Sequence, residues 1–266
     1  MGQVFDLPPL PGTQARAFGL VIRADATFKD LASVIEVDPA LTGAILRAAN
    51  SASSSPIARI DVAERALIRI GMERTKRIIA GAIVSGNSSQ LRRVGIDMDE
   101  FWRHLIACAL LADTTAFGGD HRTVGFTAGL MHDIGRIAMA HSFPGQYAEV
   151  VQLVRSGMDA CAAEEQIFGT THTVVGAEVA QAWGLGDDLV EAISDHHYGA
   201  LGTLSWLIWN SRRLSWSLGI GDGLETPEAV TFDPNGEDSE IVRALGGVEG
   251  FENQINWFMG AIAVAA

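Results

Sequence analysis

Residues 129–136 read Gly-Leu-Met-His132-Asp133-Ile134-Gly135-Arg136, an ionisable pair set in a mostly apolar helical pattern. A carboxylate carried into such surroundings needs a partner, because an unpaired buried charge is strongly disfavoured. Imidazole nitrogen beside carboxylate oxygen is a donor mixture suited to zinc, iron or manganese, whereas oxygen alone would suit magnesium or calcium. The pair therefore points to a divalent metal if the chain supplies further ligands. Five of the seven histidines, His104, His132, His172, His196 and His197, fall on apolar helix faces or near expected helix ends. His121 and His141 fall in loop-like contexts. A single histidine is more often satisfied by one hydrogen bond than by a metal. Taken together, this set exceeds the needs of a structural site and fits a mono- or dinuclear hydrolytic centre with open positions for water.

These residues must be positioned by helices. Apolar residues recur at three- and four-residue steps, start and stop signals repeat, and alternating strand-like runs are nearly absent, so the expected fold class is all-α. After Leu7-Pro8-Pro9-Leu10-Pro11, helices are expected over 13–23, from Thr27 with Leu31, Val34 and Ile35 inward, and from Asp38-Pro39 to Asn50. The last of these should face inward with Leu41, Ile45, Leu46 and Ala49. A Ser-rich loop runs to Pro56, Asp61 with Glu64 resembles a capping box, Gly71 closes that helix, and another spans 73–85. The polar segment 87–97 reads as a boundary. Asp99 then opens a long helix whose inner face includes Phe101, His104, Leu105, Cys108 and Leu111. Further helices are expected at 124–133, 136–142, 145–156, 160–168, 172–183, 187–196 and 203–218, stopped by Gly157, Gly169 and Gly184. The division is thus 1–97, an N-terminal helical lobe; 98–220, a second helical lobe carrying most candidate ligands; and 221–266, an acidic linker with a helix-like tail from Ile255.

Composition narrows the function classes. At 266 residues and 48% hydrophobic the chain can bury one large core or two modest ones. It shows neither a secretory leader nor an apolar run of about 18 residues, so no membrane association is expected. Cys108 and Cys161 form no close pair, and a cytoplasmic location with free thiols is expected. The net charge of −13 makes nucleic acid an unfavourable partner. Residues 1–97 carry 12 basic and 9 acidic side chains; the remaining 7 basic and 23 acidic residues make 98–266 strongly negative. Arg65, Arg69, Arg74, Lys76, Arg77 and Arg92-Arg93 form a local basic set without interleaved aromatics for base stacking, which reads as a solvated helix face. Four of the six Trp lie within 183–216 and read as packing residues rather than a ligand cage.

The order His104, His132-Asp133, His172, His196-His197 resembles the HD superfamily of metal-dependent phosphohydrolases. In detail it resembles the HDOD branch, the metal-dependent-hydrolase-related output domain. The likeness extends from about Leu7 to Leu218 through LPPLP, VDPALTGAILRAANSA, ALIRIG, Trp102, GLMHDIGR, EQIFGTTHTVVG, Trp183 and His196-His197. It implies an HD-domain-like helical bundle with an additional N-terminal helical subdomain. It also implies a metal set of His104, His132, Asp133, His172, His196, His197 and the residue at 210, with His132, Asp133 and Arg136 nearest the chemistry. Hydrolytic HD domains close that set with an Asp, which is Asn210 here, and an amide oxygen is a weak neutral ligand. The Lys that often follows the His-Asp-Ile-Gly sequence is Arg136, which keeps the charge and changes its geometry. His197-Tyr198-Gly199 does not reproduce the Gly-Tyr-Pro signature of cyclic-di-GMP phosphodiesterases. The resemblance thus implies a regulatory or scaffold protein in signal transduction with protein partners and weak or no activity. The alternative is an active phosphohydrolase that uses iron, manganese or zinc on a nucleotide or other phosphate ester.

Overall fold

A computed structural model describes residues 5, 12–51, 60–86, 89–116, 122–224, 231–236 and 238–262. The Leu7–Pro11 entry, most of the Ser-rich loop and His121 lie outside the described residues. Among the described residues every regular element is a helix. The chain forms two compact units, one of Met1–Pro8 with Asn87–Phe251 and the other of Pro9–Gly86 with Glu252–Ala266. The second-named unit holds α1 (Gly12–Ile22), α2 (Phe28–Ile35), α3 (Pro39–Ala49), α4 (Ala63–Ile70) and α5 (Met72–Gly86). The other holds α6 (Ser89–Arg93), α7 (Met98–Thr115), α8 (Arg122–Met131), α9 (Ile134–Ser142), α10 (Pro144–Arg155) and α11 (Ala160–Phe168). It continues through α12 (His172–Ala182), α13 (Asp187–Ser194), α14 (Leu204–Ser217) and α15 (Ser239–Ala244). The first turns of α16 (Gly247–Ile262) also belong to it.

Local chemistry accounts for most helix ends. Thr27 and Asp30 form a reciprocal capping box at α2, whose Leu31, Val34 and Ile35 are buried as expected. Asp38 accepts from the backbone N–H groups of Ala40 and Leu41 at 2.9 and 3.1 Å, with Pro39 at the first helical position of α3. Leu46 is only half-buried, and Ala44 and Ala48 join the buried face instead. The expected Asp61–Glu64 capping box does not form, since α4 begins at Ala63 behind Val62 without a side-chain cap. Asp97, not Asp99, caps α7 and accepts from Asp99 and Glu100. The segment read as a boundary contains α6, and His141 sits in the last turn of α9 rather than in a loop. The basic set does not share one exposed face either: Lys76 is buried and donates to the Arg23 carbonyl at 2.5 Å, whereas Arg65, Arg69 and Arg74 are exposed.

Two glycines let helices approach closely around the ligand-bearing residues. A Cβ at Gly135 would lie 1.9 Å from the His172 carbonyl oxygen and 2.7 Å from the Gly176 nitrogen, so α9 seats on α12 only without a side chain there. Gly129 plays the same part between α8 and α7, where a Cβ would meet Ala109 at 2.7 Å.

Residues after α14 are less detached than the sequence suggested. Asp222 is fully buried, and the Asp97 N–H donates to the Gly223 carbonyl at 3.1 Å. Helix α16 begins at Gly247, eight residues before the expected Ile255, and the expected end of that helix lies outside the described residues. Among the described residues no helix is long and apolar enough to cross a membrane.

Three substitutions test these caps and close approaches. Asp38→Ala should lower stability by about 1 kcal/mol, read as a lower urea midpoint at unchanged slope. Gly135→Ala should abolish cooperative unfolding or soluble expression. Gly19→Ala meets no atom within 4 Å and should leave the melting temperature unchanged or higher.

Candidate metal centre

His132 and Asp133 occupy the two-residue break between α8 and α9, not the interior of the expected 124–133 helix. In a continuous helix successive side chains point about 100° apart. The break lets both turn to one side. The His132 Nδ1–H donates to the Gly129 carbonyl at 2.8 Å, three residues back. His196, just beyond α13, repeats the device: its Nδ1–H donates to the Ile193 carbonyl at 2.7 Å. Because a carbonyl can only accept, each bond places the proton on Nδ1 and turns the Nε2 lone pair toward a ligand; His196 Nε2 lies 3.3 Å from His172 Nε2.

His172 reaches the same region from the first position of α12. The buried Glu164 accepts from its backbone N–H at 2.8 Å and from its Nδ1–H at 2.7 Å, so one carboxylate both caps the helix and orients the ring. Tyr147 adds a hydroxyl donor to Glu164 at 3.3 Å. The three Nε2 atoms gather round Asp133. His132 lies 3.4 Å from Oδ2, and His172 and His196 lie 3.3 and 3.5 Å from Oδ1. Metal–nitrogen bonds of about 2.1 Å give a tetrahedral ligand-to-ligand edge of about 3.4 Å. Neither Asp133 oxygen nor His132 Nε2 has a hydrogen-bond partner, although all are buried. Buried polar atoms left this way call for a ligand, and the donor set with its oriented Nδ1 groups fits a divalent metal.

The other candidates flank this group. His197 is half-buried, with Nε2 3.2 Å from His172 Nε2 and 3.9 Å from the Cys161 sulfur. Cys161, His172 and His197 make a second potential ligand cluster, and His104, Cys108 and His132 a third. His104 is fully buried, 3.6 Å from Cys108 Sγ and 3.3 Å from Ser215 Oγ. Arg136 is buried on the other side of Asp133, with Nε 3.5 Å from Oδ1 and Nη1 donating to Asp222 at 2.8 Å. Asn210 stands apart. Its amide oxygen accepts from Arg213 at 3.0 Å, and among the described residues no hydrogen bond or ion pair joins it to Asp133 or the five histidines. Glu164, Cys161 and Asp222 complete the surroundings without having been singled out as site residues. Glu164 and Asp222 carry no spacing signal, because each finds its partner through tertiary packing.

The charges respond to this enclosure. Burial by itself would raise the Asp133 pKa, but Arg136 and His132 hold the carboxyl well below its usual range. Burial, reinforced by His132, pushes His104 down to about 3, and burial also depresses His196. Burial opposes a charge on His172 as well, yet Glu164 raises it to about 10. A histidine depressed in the folded state contributes stability that is complete above pH 6.5 and is lost as pH falls toward the folded value. The raised His172 contributes fully below pH 6.5 and loses its contribution as pH rises through about 10. Metal-free protein should therefore melt highest near neutral pH in calorimetric scans. Glu164→Gln should flatten the alkaline limb, and a wild-type melting temperature constant from pH 7 to about 10 would contradict the charged His172.

Comparison with known proteins places this geometry among relatives. An HDOD domain protein of unknown function from Geobacter sulfurreducens aligns at a TM-score of 0.73 with 23% identity, covering 97% of this chain and 93% of that one. A phosphohydrolase candidate from Shewanella amazonensis SB2B aligns at 0.68 with 21% identity, covering 97% and 95%. A candidate signal transduction protein from Marinobacter aquaeolei VT8 aligns at 0.69 with 21% identity, covering 96% of this chain and 58% of that one. At these identities the likeness shows the fold alone. An uncharacterized protein of Treponema pallidum (strain Nichols) is 21% identical over 203 residues, which cover 73% of this chain and 38% of that relative's length. The HDOD domain model matches residues 7–198, nearly three quarters of the sequence, and the chain belongs to the HDOD domain family.

Proposed function

We propose that this chain is a signalling protein of the HDOD type that acts on protein partners and carries a divalent metal in its second lobe, with little or no hydrolytic turnover. His132, Asp133, His172 and His196 would hold the metal, and iron, manganese and zinc all suit this nitrogen-rich set. The observation that carries the reading is the enclosure of the cluster: all four of these side chains are 0% exposed. A substrate phosphate needs an open coordination position, whereas a metal closed in by protein ligands serves structure and conformation. Asn210 agrees with this. It supplies no carboxylate where the resembling hydrolases have one, and its oxygen accepts from Arg213.

The alternative reading, a metal-dependent phosphohydrolase acting on a nucleotide or other phosphate ester, has one observation in its favour. The half-buried His197 opens onto a cleft that contains arginines. In that case a bound metal would polarise a phosphoryl oxygen and lower the pKa of coordinated water. Arg136 would hold Asp133 ionised and oriented, and Glu164 would fix the His172 ring.

Metal analysis of protein prepared without chelator, combined with hydrolysis of bis(p-nitrophenyl) phosphate, separates the readings. The expected result is about one metal per chain, a lower melting temperature after chelation, loss of metal in His132→Ala, and reporter hydrolysis at the background rate. Metal uptake should displace the His172 proton and so strengthen as pH rises toward about 10. Rapid turnover that disappears in His132→Ala would overturn the regulatory reading in favour of the hydrolase. Metal-free protein whose melting temperature ignores added metal would overturn the metal centre.

A further inference from the structure

Helix α14 carries the sequence Leu204-Ser-Trp-Leu-Ile-Trp209-Asn-Ser-Arg212-Arg213-Leu-Ser-Trp216-Ser217. Its Trp residues are not the core packing the sequence suggested: Trp209 is 36% exposed and Trp216 is half-buried. Both line an open cleft of about 780 Å³, together with Arg212, Arg213 and His197. The cleft is bounded by the end of α10, which brings Arg155, and by the start of α11, which brings Asp159. Residues 98–266 hold 7 basic side chains against 23 acidic ones, yet three of those seven line this one cleft, where Asp159 also lies and Asp238 pairs with Arg213.

The aromatic and cationic groups are arranged in pairs. The Arg212 guanidinium lies 5.8 Å from the centre of the Trp216 ring, and that of Arg213 lies 6.0 Å from the centre of Trp209. Arg213 is steadied by Asn210 and Asp238. Arg212 is not matched in this way. It is 8% exposed, its Nε has no hydrogen-bond acceptor, and the Trp216 indole N–H is likewise without a partner. A buried Nε–H without an acceptor is costly, and an anion with several acceptor oxygens would relieve it. An indole face beside a guanidinium plane suits a flat aromatic ring. The volume falls within the range of small-ligand sites and exceeds what a lone phosphate needs.

We propose that this cleft binds a nucleotide, its phosphates on Arg212, Arg213 and Arg155 and its base against Trp209 or Trp216. The cleft adjoins the proposed metal cluster: it shares His197, and Arg212 is near enough to help depress His196 and His197, but nucleotide binding there does not require a bound metal. A nucleotide held here would give the HDOD chain a small-molecule input beside its histidine cluster.

Calorimetric titration of the full chain with ADP in buffer containing excess EDTA tests the proposal, with adenosine and inorganic pyrophosphate as separate arms. Saturable ADP binding is expected below about 1 mM, with adenosine and pyrophosphate each at least about tenfold weaker. Arg213→Gln and Trp209→Ala, both at exposed positions, should each weaken ADP by about tenfold. Arg212→Gln should weaken it further, and the two exposed variants keep the test decisive if that buried substitution does not fold. No saturable binding overturns the proposal, as does ADP binding that both exposed variants leave unchanged. Pyrophosphate binding as tight as ADP would replace the nucleotide with a plain phosphate site. In a further arm without EDTA, binding that appears only there and survives Arg213→Gln would place the ligand on the metal instead of in this cleft.

Discussion

The Asp133 carboxylate is the constraint on which the second lobe depends. It is wholly buried, and Arg136 with three imidazoles surrounds it at 3.3 to 3.5 Å. An ionised carboxylate in such a place is tolerable only when cationic charge and polar donors are brought to it. Four helix junctions do this: the α8–α9 break, the turn after α13, the start of α12 and the first turn of α9. Each delivers a side chain that a regular helix interior would have directed elsewhere.

Support extends one layer outward in the same manner. Glu164 orients His172, carbonyls at the ends of α8 and α13 orient His132 and His196, and Asp222 takes the far side of the Arg136 guanidinium. Buried polar networks of this kind are stabilising only when nearly every member is satisfied. The unpartnered atoms at the centre, both oxygens of Asp133 and Nε2 of His132, are those a metal would engage. On the proposed reading, the enclosure that suits a cation excludes a bulky phosphate ester.

Helix α14 links that interior to the surface. Ser215 approaches His104 from its inner face, Asn210 holds Arg213, and Trp209 and Trp216 turn toward the cleft beside Arg212 and Arg213. An overall negative chain thus gathers positive charge at one place, where low-dielectric aromatic walls strengthen its field. The amide at position 210 supplies a neutral acceptor that steadies a cleft arginine.

Apolar periodicity made the all-helical architecture legible, and cap residues such as Thr27 and Asp38 located helix starts to within a residue or two. Leu31, Val34 and Ile35 could be assigned inward because a helix repeats its faces every three or four positions. The inward placement of His104 followed from the same rule, and the run of histidines with Asp133 was visible as a donor set. That they could converge was expected from the set and its resemblance, but the geometry by which they do so was not visible. The His132–Asp133 pair reads as helix interior until packing breaks it, since local propensity cannot register a two-residue gap enforced by neighbouring helices. Glu164 is separated from His172 by a turn, and Asp222 lies 86 residues beyond Arg136, so no periodicity connects either pair. The Trp residues of α14 looked like core because hydrophobicity alone does not say which side of a helix meets solvent. The sequence by itself determined the helices and the chemical types available to a site. Only the tertiary structure decided which of them meet, because the energy of a buried charge is set by atoms that are close in space and distant along the chain.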